Sequence, residues 1–311
     1  MIFVMWVVSV ITFGLMHSVP GGPFDETNQP LPQAAKENIL RKYGLDQPVW
    51  KQYLNYMKNA LHFDFGIPFQ QPSTTVAELI TRSWLVTFQL GLMTILLSYS
   101  LGMLTGAFAA YHQNSWADSI VTFIAMLGIT VPNFVIAFWL ILLFSVKWKV
   151  LPMGGWNDPN QWIIPGLLSK TWIMPVLAYA MAPFSLAARY TRSSMVEVIH
   201  ADYIRTARAK GLRESTIIFK HVFRNALIPM ITVLGAEVPN LITGSIFIEA
   251  TFRIPGLGKY FVTSTFTRDY PMIMALMLLI AMLWGITYLA IDILYTWVDP
   301  RIRLGGSEGN S

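Results

Sequence analysis

Six long apolar runs alternate with polar stretches along this chain: residues 2–19, 84–110, 119–146, 172–188, 226–250 and 272–297. About 20 predominantly apolar residues cross the hydrocarbon core of a bilayer. The pattern therefore predicts an all-α polytopic membrane protein with six transmembrane helices. Trp84, Trp116, Trp148, Trp172 and Trp297 stand near run ends, where indole rings favour the membrane–water interface. The first run is short and no basic residue precedes Ile2. Pro20-Gly21-Gly22-Pro23 follows it in place of a small-x-small cleavage site, so it reads as a retained span and not a signal peptide.

The polar stretches orient these spans. Eight basic residues crowd into 189–224: Arg189, Arg192, Arg205, Arg208, Lys210, Arg213, Lys220 and Arg224. Arg301 and Arg303 lie in the tail on the same side. The opposite side holds twelve, diluted over residues 20–82, 147–171 and 252–270. Basic density close to span ends marks the cytoplasm, which places both termini inside. The predicted organisation is a first span over 1–19, an extracytoplasmic region over 20–82, a five-helix core over 83–298 containing the cytoplasmic loop 189–224, and a tail over 299–311. Within 20–82, helix-like patterns cover 33–43 and 49–61, and the region reads as a small cap. No fixed-period repeat is visible.

Composition agrees: 54% of the 311 residues are hydrophobic and 13% charged, about half the charge of a soluble domain. Mean hydropathy is +0.49. A net charge of +5 is explained by cytoplasmic loops without nucleic acid. The absence of cysteine excludes disulfides and thiolate metal sites.

Groups that could hold a nucleotide or relay protons are sparse. A P-loop needs G-x-x-x-x-G-K-[ST] to cradle phosphates. Residues 255–260, PGLGKY, lack its first Gly and its Ser/Thr and fall on the external side, so the chain is expected to hold no nucleotide and no cofactor of its own. Ionisable groups within the spans are few. Glu237 lies about twelve residues into the fifth run, ~18 Å along a helix and near the midplane. It lines a substrate route together with Asn240 and Thr243, or it bonds to a neighbouring helix; both remain open. Glu249 and Asp292 sit near span ends and no Asp/Glu/His relay links them. His17, His62, His112, His200 and His221 are scattered without metal-ligand spacing, so no metal is expected. Pro132, Pro175, Pro183, Pro229 and Pro239 fall inside runs and predict kinks.

Residues 201–212, ADYIRTARAKGL, are the polar stretch with the clearest design. At 100° per residue, Val196, Ile199, Tyr203, Ile204 and Ala207 share one arc, with Asp202, Arg205, Arg208 and Arg213 opposite. Gly211 supplies a helix stop. A short amphipathic helix on the cytoplasmic side suits a lipid surface, nucleic acid or a partner protein, and its basic content alone does not choose.

A resemblance does. Arg205-Thr206-Ala207-x-x-x-Gly211 resembles the EAA-x-x-x-G loop of membrane subunits of binding-protein-dependent ABC importers. DYIRTARAKGL…HVFRNALIP is similar to its form in the oligopeptide/dipeptide/nickel branch. VPGGPF (19–24), LPMGGW (151–156), IEATFRIPGLG (248–258), RDYP (268–271) and VDPRIR (298–303) match further motifs in the same order. Arg205 stands at the general Glu, and Phe223-Arg224 at the general Leu-Pro. The resemblance implies a type I ABC importer permease fold, no enzymatic chemistry in this chain, and residence in a bacterial or archaeal cytoplasmic membrane. It implies a second permease subunit, two cytoplasmic ATPases that bind ATP and Mg, and an extracytoplasmic binding protein. Asp202, Tyr203, Ile204, Arg205, Thr206, Ala207, Arg208 and Gly211 become coupling residues, with Tyr203, Ile204 and Ala207 the expected apolar docking face. Glu249, Phe252, Pro255, Gly256 and Gly258 become an extracytoplasmic signature. LPMGGW and 242–258 favour oligopeptides as cargo, with dipeptides, glutathione and nickel chelates as alternatives, and a gradient-driven carrier as the alternative class.

Overall fold

The computed structural model describes residues 1–19, 38, 40, 41, 43–156 and 170–298. Its regular elements are all helical, separating into two compact units. Residues 20–37, 157–169 and 299–311 lie outside the described residues, and with them most of VPGGPF, the helix pattern at 33–37 and the tail motif.

One unit comprises 1–87 and 255–285. It holds α1 (Ile2–Ser18), α2 (Val49–Ala60) and α10 (Leu257–Thr267), with the starts of α3 (Val76–Tyr111) and α11 (Tyr270–Val298). Its core joins Val76, Leu79 and Ile80 to Leu257, Met272, Ala275 and Leu276. Ser9 at the middle of α1 donates to Trp6 O at 2.7 Å and bonds Tyr53 of α2 at 2.8 Å, which satisfies the polar groups between these helices. Tyr56 donates to Pro271 O at 3.2 Å.

The other unit comprises 88–254 and 286–311. Here α6 (Ile173–Ile199) is packed on by α4 (Trp116–Thr130), α5 (Asn133–Leu140), α8 (Arg224–Thr243) and α9 (Ile246–Thr251). Small residues permit that crowding. Ala178, Ala180, Ser185, Ala187 and Ala188 of α6 are all buried, as expected where helices approach closely in a membrane. A Cβ on Gly102 of α3 would fall 2.7 Å from Phe184 O, and one on Gly106 would fall 2.3 Å from Ala188 O. Gly102-x-x-x-Gly106 is thus a small-xxx-small face pressed on α6.

Among the described residues, three helices are long and apolar enough to cross a membrane: Val76–Tyr111, Pro229–Thr251 and Tyr270–Ile293. The run at 119–146, expected as one span, is two limbs meeting at 104°. The cause is Val131-Pro132: Pro132 has no N–H to continue α4, and Val131 takes the extended conformation that a following proline imposes (φ −84°, ψ 122°). By length and composition these limbs are either one broken span, which brings the number to four, or a re-entrant loop. The first run is helical but only 17 residues long. The fourth is helical well beyond its expected end at 188, since α6 runs on through Arg189 and Arg192 to Ile199. The fifth is interrupted at Gly244 (φ 89°), where α8 stops and Ser245 caps α9 by accepting the Ile248 N–H at 3.4 Å. Pro175 costs no hydrogen bond, lying in the first turn of α6, whereas Pro183, Pro229 and Pro239 sit inside continuous helices.

Candidate functional site: a helix clamped at the end of three others

α7 (Asp202–Ala209) covers only the later part of the wheel: the chain breaks at His200-Ala201, and Val196 and Ile199 of the predicted arc belong to the end of α6. Ala201 in extended conformation starts α7, and Asp202 in the first turn complements the positive end of the helix dipole. It ends in a Schellman motif: Gly211 N–H donates to Arg208 O at 2.9 Å and Leu212 N–H to Ala207 O at 3.3 Å. Gly211 takes φ +75° to make this turn, with open space where a Cβ would lie. After it, Glu214–Thr216 and the π-helical Ile217–Phe223 lead without a break into α8.

One face of α7 is locked into the chain's own core. Ile204 (0% exposed) and Ala207 (8%) pack with Ala110 at the end of α3, Met195 near the end of α6, Ile217 and Val222 of the π segment, and Ala226 of α8. This corrects the expected docking face. The apolar arc of the wheel is largely consumed internally, and of Tyr203, Ile204 and Ala207 only Tyr203 is presented, at 46% exposure. A short helix must first bury its apolar stripe to be held at all, so the surface offered outward is the polar one. Asp202, Tyr203, Arg205, Thr206 and Arg208 form that ridge, all exposed.

The ridge is internally ordered. Thr206 Oγ1 donates to Asp202 O at 3.0 Å, and Arg205 lies 3.5 Å from the Asp202 carboxylate. Asn225 Nδ2 donates to the Tyr203 hydroxyl at 3.2 Å. Arg208 bonds both oxygens of Glu214, at 2.8 and 3.4 Å, across the Gly211 turn. That hydrogen-bonded pairing holds the Glu214 carboxyl below the usual carboxylate range and raises the Arg208 guanidinium. Both groups are about two-fifths exposed, so the pair orders the turn more than it stabilises it.

Two of the sequence motifs converge in this unit. Glu249 and Phe252 are buried at 1% and 0% exposure. Ile254 N–H donates to Glu249 O at 2.8 Å and Arg253 to Ala250 O at 3.2 Å, closing α9 with Arg253 at φ 53°. Against this turn lies LPMGGW: Gly155 N–H donates to Phe252 O at 2.7 Å, and a Cβ on Gly154 would stand 2.4 Å from that same oxygen. Trp156 Nε1 donates to Gln89 Oε1 at 3.1 Å. The paired glycines thus let one loop meet the signature turn backbone to backbone.

Glu237 is half-buried on α8, Asn240 is exposed and donates to Glu237 Oε2 at 3.4 Å. Thr243 turns back onto its own helix, donating to Pro239 O at 2.9 Å. The structure therefore brings Glu237 and Asn240 together and leaves Thr243 capping backbone.

In the other unit, Gly256 begins α10 and the buried Leu257 N–H donates to Thr87 Oγ1 at 2.9 Å; Gly258 is buried beside it. Asp269 of RDYP accepts the Gln70 N–H at 3.2 Å and the Met272 N–H at 3.4 Å, tying the segment before α3 to the start of α11. Burial pushes this carboxyl above its usual range against those hydrogen bonds. Pro255, Gly256 and Gly258 thus serve helix starts and packing within this unit.

One pair went unread in the sequence. Asp118 and Arg192 form a bidentate ion pair, with Arg192 Nη2 to Asp118 Oδ2 at 2.7 Å. Arg192 counts in the sequence only towards topology. The signal for Asp118 is Ser115-Trp116-Ala117-Asp118, an N-cap followed by an acid three residues on. Among the described residues no group of three or more His, Cys, Asp and Glu side chains is placed to hold a metal ion.

The profile of the family described as binding-protein-dependent transport system inner membrane component matches residues 102–304. The dipeptide transport system permease protein DppB of Bacillus subtilis (strain 168) is 42% identical over 301 residues, covering 96% of this chain and 93% of that one. The oligopeptide transport system permease protein OppB of Salmonella typhimurium is 38% identical over 299 residues, covering 96% and 95%. An inward-facing structure of the MetNI methionine ABC transporter matches with a TM-score of 0.57 at 18% identity, over 71% of this chain and 96% of that chain. At that identity the likeness speaks for the fold alone.

Proposed function

The chain belongs to the inner-membrane components of binding-protein-dependent transport systems, and from that premise we propose that it is one of two permease subunits of an ATP-driven peptide importer, with α7 as the helix that receives the ATPase stroke. One observation supports the second half of this assignment above others. α7 packs its apolar side against the ends of α3, α6 and α8 while presenting a polar ridge outward. A force on that ridge reaches three helices through one buried cluster, since packed cores transmit displacement and do not absorb it.

In this assignment Tyr203, Arg205, Thr206 and Arg208 contact the ATPase, Asp202 starts the helix, Ile204 and Ala207 anchor it, and Gly211 sets the turn. Six spans include the short α1 and the polar-ended α6, with both termini in the cytoplasm. Glu237 and Asn240 line the substrate path. The signature around Glu249 and Phe252, braced by LPMGGW, faces the binding protein. ATP and Mg are held by the partner ATPases. The cargo proposed is oligopeptides, on LPMGGW and the 242–258 stretch. The 42% identity to a dipeptide permease favours a second reading, with dipeptides as cargo.

Co-purification tests the assignment. The tagged chain is expected to bring down a second permease and ATPase chains, and Arg205→Glu or Tyr203→Ala is expected to release the ATPases while keeping the sister permease. Retention of the ATPases by both variants would contradict it. Competition for uptake by unlabelled di-, tri- and pentapeptides separates the two cargo readings.

A further inference from the structure

α4 and α6 are joined by an ion pair, Asp118 buried and Arg192 half-buried, to which the coupling scheme above gives no role. Asp118 is the third residue of α4, where Ser115 Oγ caps its N–H at 3.3 Å. Its carboxylate accepts the Asn114 N–H at 3.0 Å, Thr122 Oγ1 at 3.5 Å, and both Nε and Nη2 of Arg192. The Asp118 side chain is 6% exposed and that of Arg192 30%. A packed apolar contact would hold two helices at least as well as a charge pair with one partner partly exposed, so stability alone does not call for one. What the fork supplies is a fixed bearing of one helix on the other.

Ten residues further along α4, ~15 Å away, the helices touch again. A Cβ on Gly128 would lie 2.2 Å from Ser185 Oγ and 2.9 Å from Met181 O. The two contacts run in opposite order along the helices, so α4 lies antiparallel on α6, fixed at both ends. Beyond Arg192, α6 continues two turns to Ile199, and Met195 on those turns is part of the cluster holding Ile204 and Ala207. At its other end α4 leads into the 104° bend at Val131-Pro132.

The geometry points to Asp118 and Arg192 as positioning residues that lock α4 to α6, so that a displacement of α7 carries the bent α4–α5 segment with it. The inference rests on the assignment of α7 as the coupling helix. Its signature is a change in efficiency, not in assembly: without the fork, α7 still moves and ATP is still hydrolysed, but the bent segment lags.

The test uses the whole importer in liposomes, with both permeases, the ATPases and the binding protein. Asp118→Asn, Arg192→Gln, Arg192→Lys and the exchange Asp118→Arg/Arg192→Asp are compared for peptide delivered per ATP hydrolysed. Single residues along a coupling network shift coupling by roughly 2- to 30-fold. Asp118→Asn and Arg192→Gln are expected to lower the ratio about tenfold within that range while ATP hydrolysis stays within about twofold. The exchange variant is expected to recover part of it. An unchanged ratio, or uptake and hydrolysis falling in proportion, overturns the inference. Where the neutral variants do not assemble, Arg192→Lys decides, since it keeps the charge and loses the fork; an unaltered ratio there also overturns it. If the unmodified complex shows no ATP-driven uptake, the importer assignment fails. The lock is then judged by spin labels at Ser119→Cys and Ser193→Cys, both exposed, in this naturally cysteine-free chain. Asp118→Asn must broaden a narrow inter-label distance; an equally narrow one overturns the lock.

Discussion

Ile204 and Tyr203 are sequence neighbours with opposite duties, and truncating each to alanine separates anchoring from docking. Ile204 is fully buried among Ala110, Met195, Ile217 and Val222. Ile204→Ala removes three carbons, at about 0.8 kcal/mol each for transfer, and leaves a cavity besides; the expected total is about 2–5 kcal/mol. Even the lower bound raises the open population of α7 some 30-fold, since 1.4 kcal/mol is about tenfold. Tyr203→Ala removes a half-exposed ring and one 3.2 Å hydrogen bond from Asn225. Its stability cost is expected near or below about 1 kcal/mol. Limited proteolysis within 201–216, alongside ATPase co-purification, reads both quantities. Ile204→Ala should speed cleavage by an order of magnitude or more, and the conservative Ile204→Val should keep most of the protection. Tyr203→Ala should leave cleavage nearly unchanged and still weaken ATPase binding. Slow cleavage of Ile204→Ala, or melting of α7 by Tyr203→Ala, would refute the division of the two faces.

Gly211→Ala should destabilise the turn by about 1–2 kcal/mol through its φ of +75° alone, because the space around it is open; hydrogen exchange at Gly211 and Leu212 measures this. Gly106→Val forces atoms against Ala188 O, and overpacking of about 1–3 kcal/mol or more should appear as a lower melting temperature of the detergent-solubilised protein. Asp269→Ala removes the acceptor of the Phe69, Gln70 and Met272 backbone N–H groups and should cost about 0.5–2 kcal/mol by the same thermal measurement. Arg208 holds the Glu214 carboxyl below its ordinary value of 4.5, so their pairing contributes fully above that value and is lost as pH falls through the depressed one. Proteolytic protection of the Gly211 turn should therefore be flat near neutrality, fall in acid, and lose its acid step in Glu214→Gln.

Periodicity foretold a helix at Asp202–Ala209 but not the break before it, since Val196 and Ile199 of the same arc end α6. It could not say which partner takes the apolar arc. Ile204 and Ala207 are read equally well as docking outward or packing inward, and only the convergence of Ala110, Met195 and Ala226 decides. The apolar runs located the helices, but hydropathy averages over breaks. Pro132 and Gly244 end helices inside runs at 119–146 and 226–250 without lowering their hydrophobicity. α6 was expected to stop at 188, and its polar extension to Ile199 is legible only once α4 is seen to supply Asp118 for Arg192. The meeting of Gly154 and Gly155 with Phe252 joins motifs about a hundred residues apart, a separation that local pattern does not bridge.

Uptake of labelled peptide into liposomes holding the complete complex decides whether this chain moves peptide by a stroke received at α7, as proposed. Uptake is expected to require the binding protein outside and ATP on the ATPase side, to be stopped by vanadate, to persist with ionophores, and to be lost in Arg205→Glu. Uptake that ionophores collapse and vanadate spares, unchanged by Arg205→Glu, would contradict it.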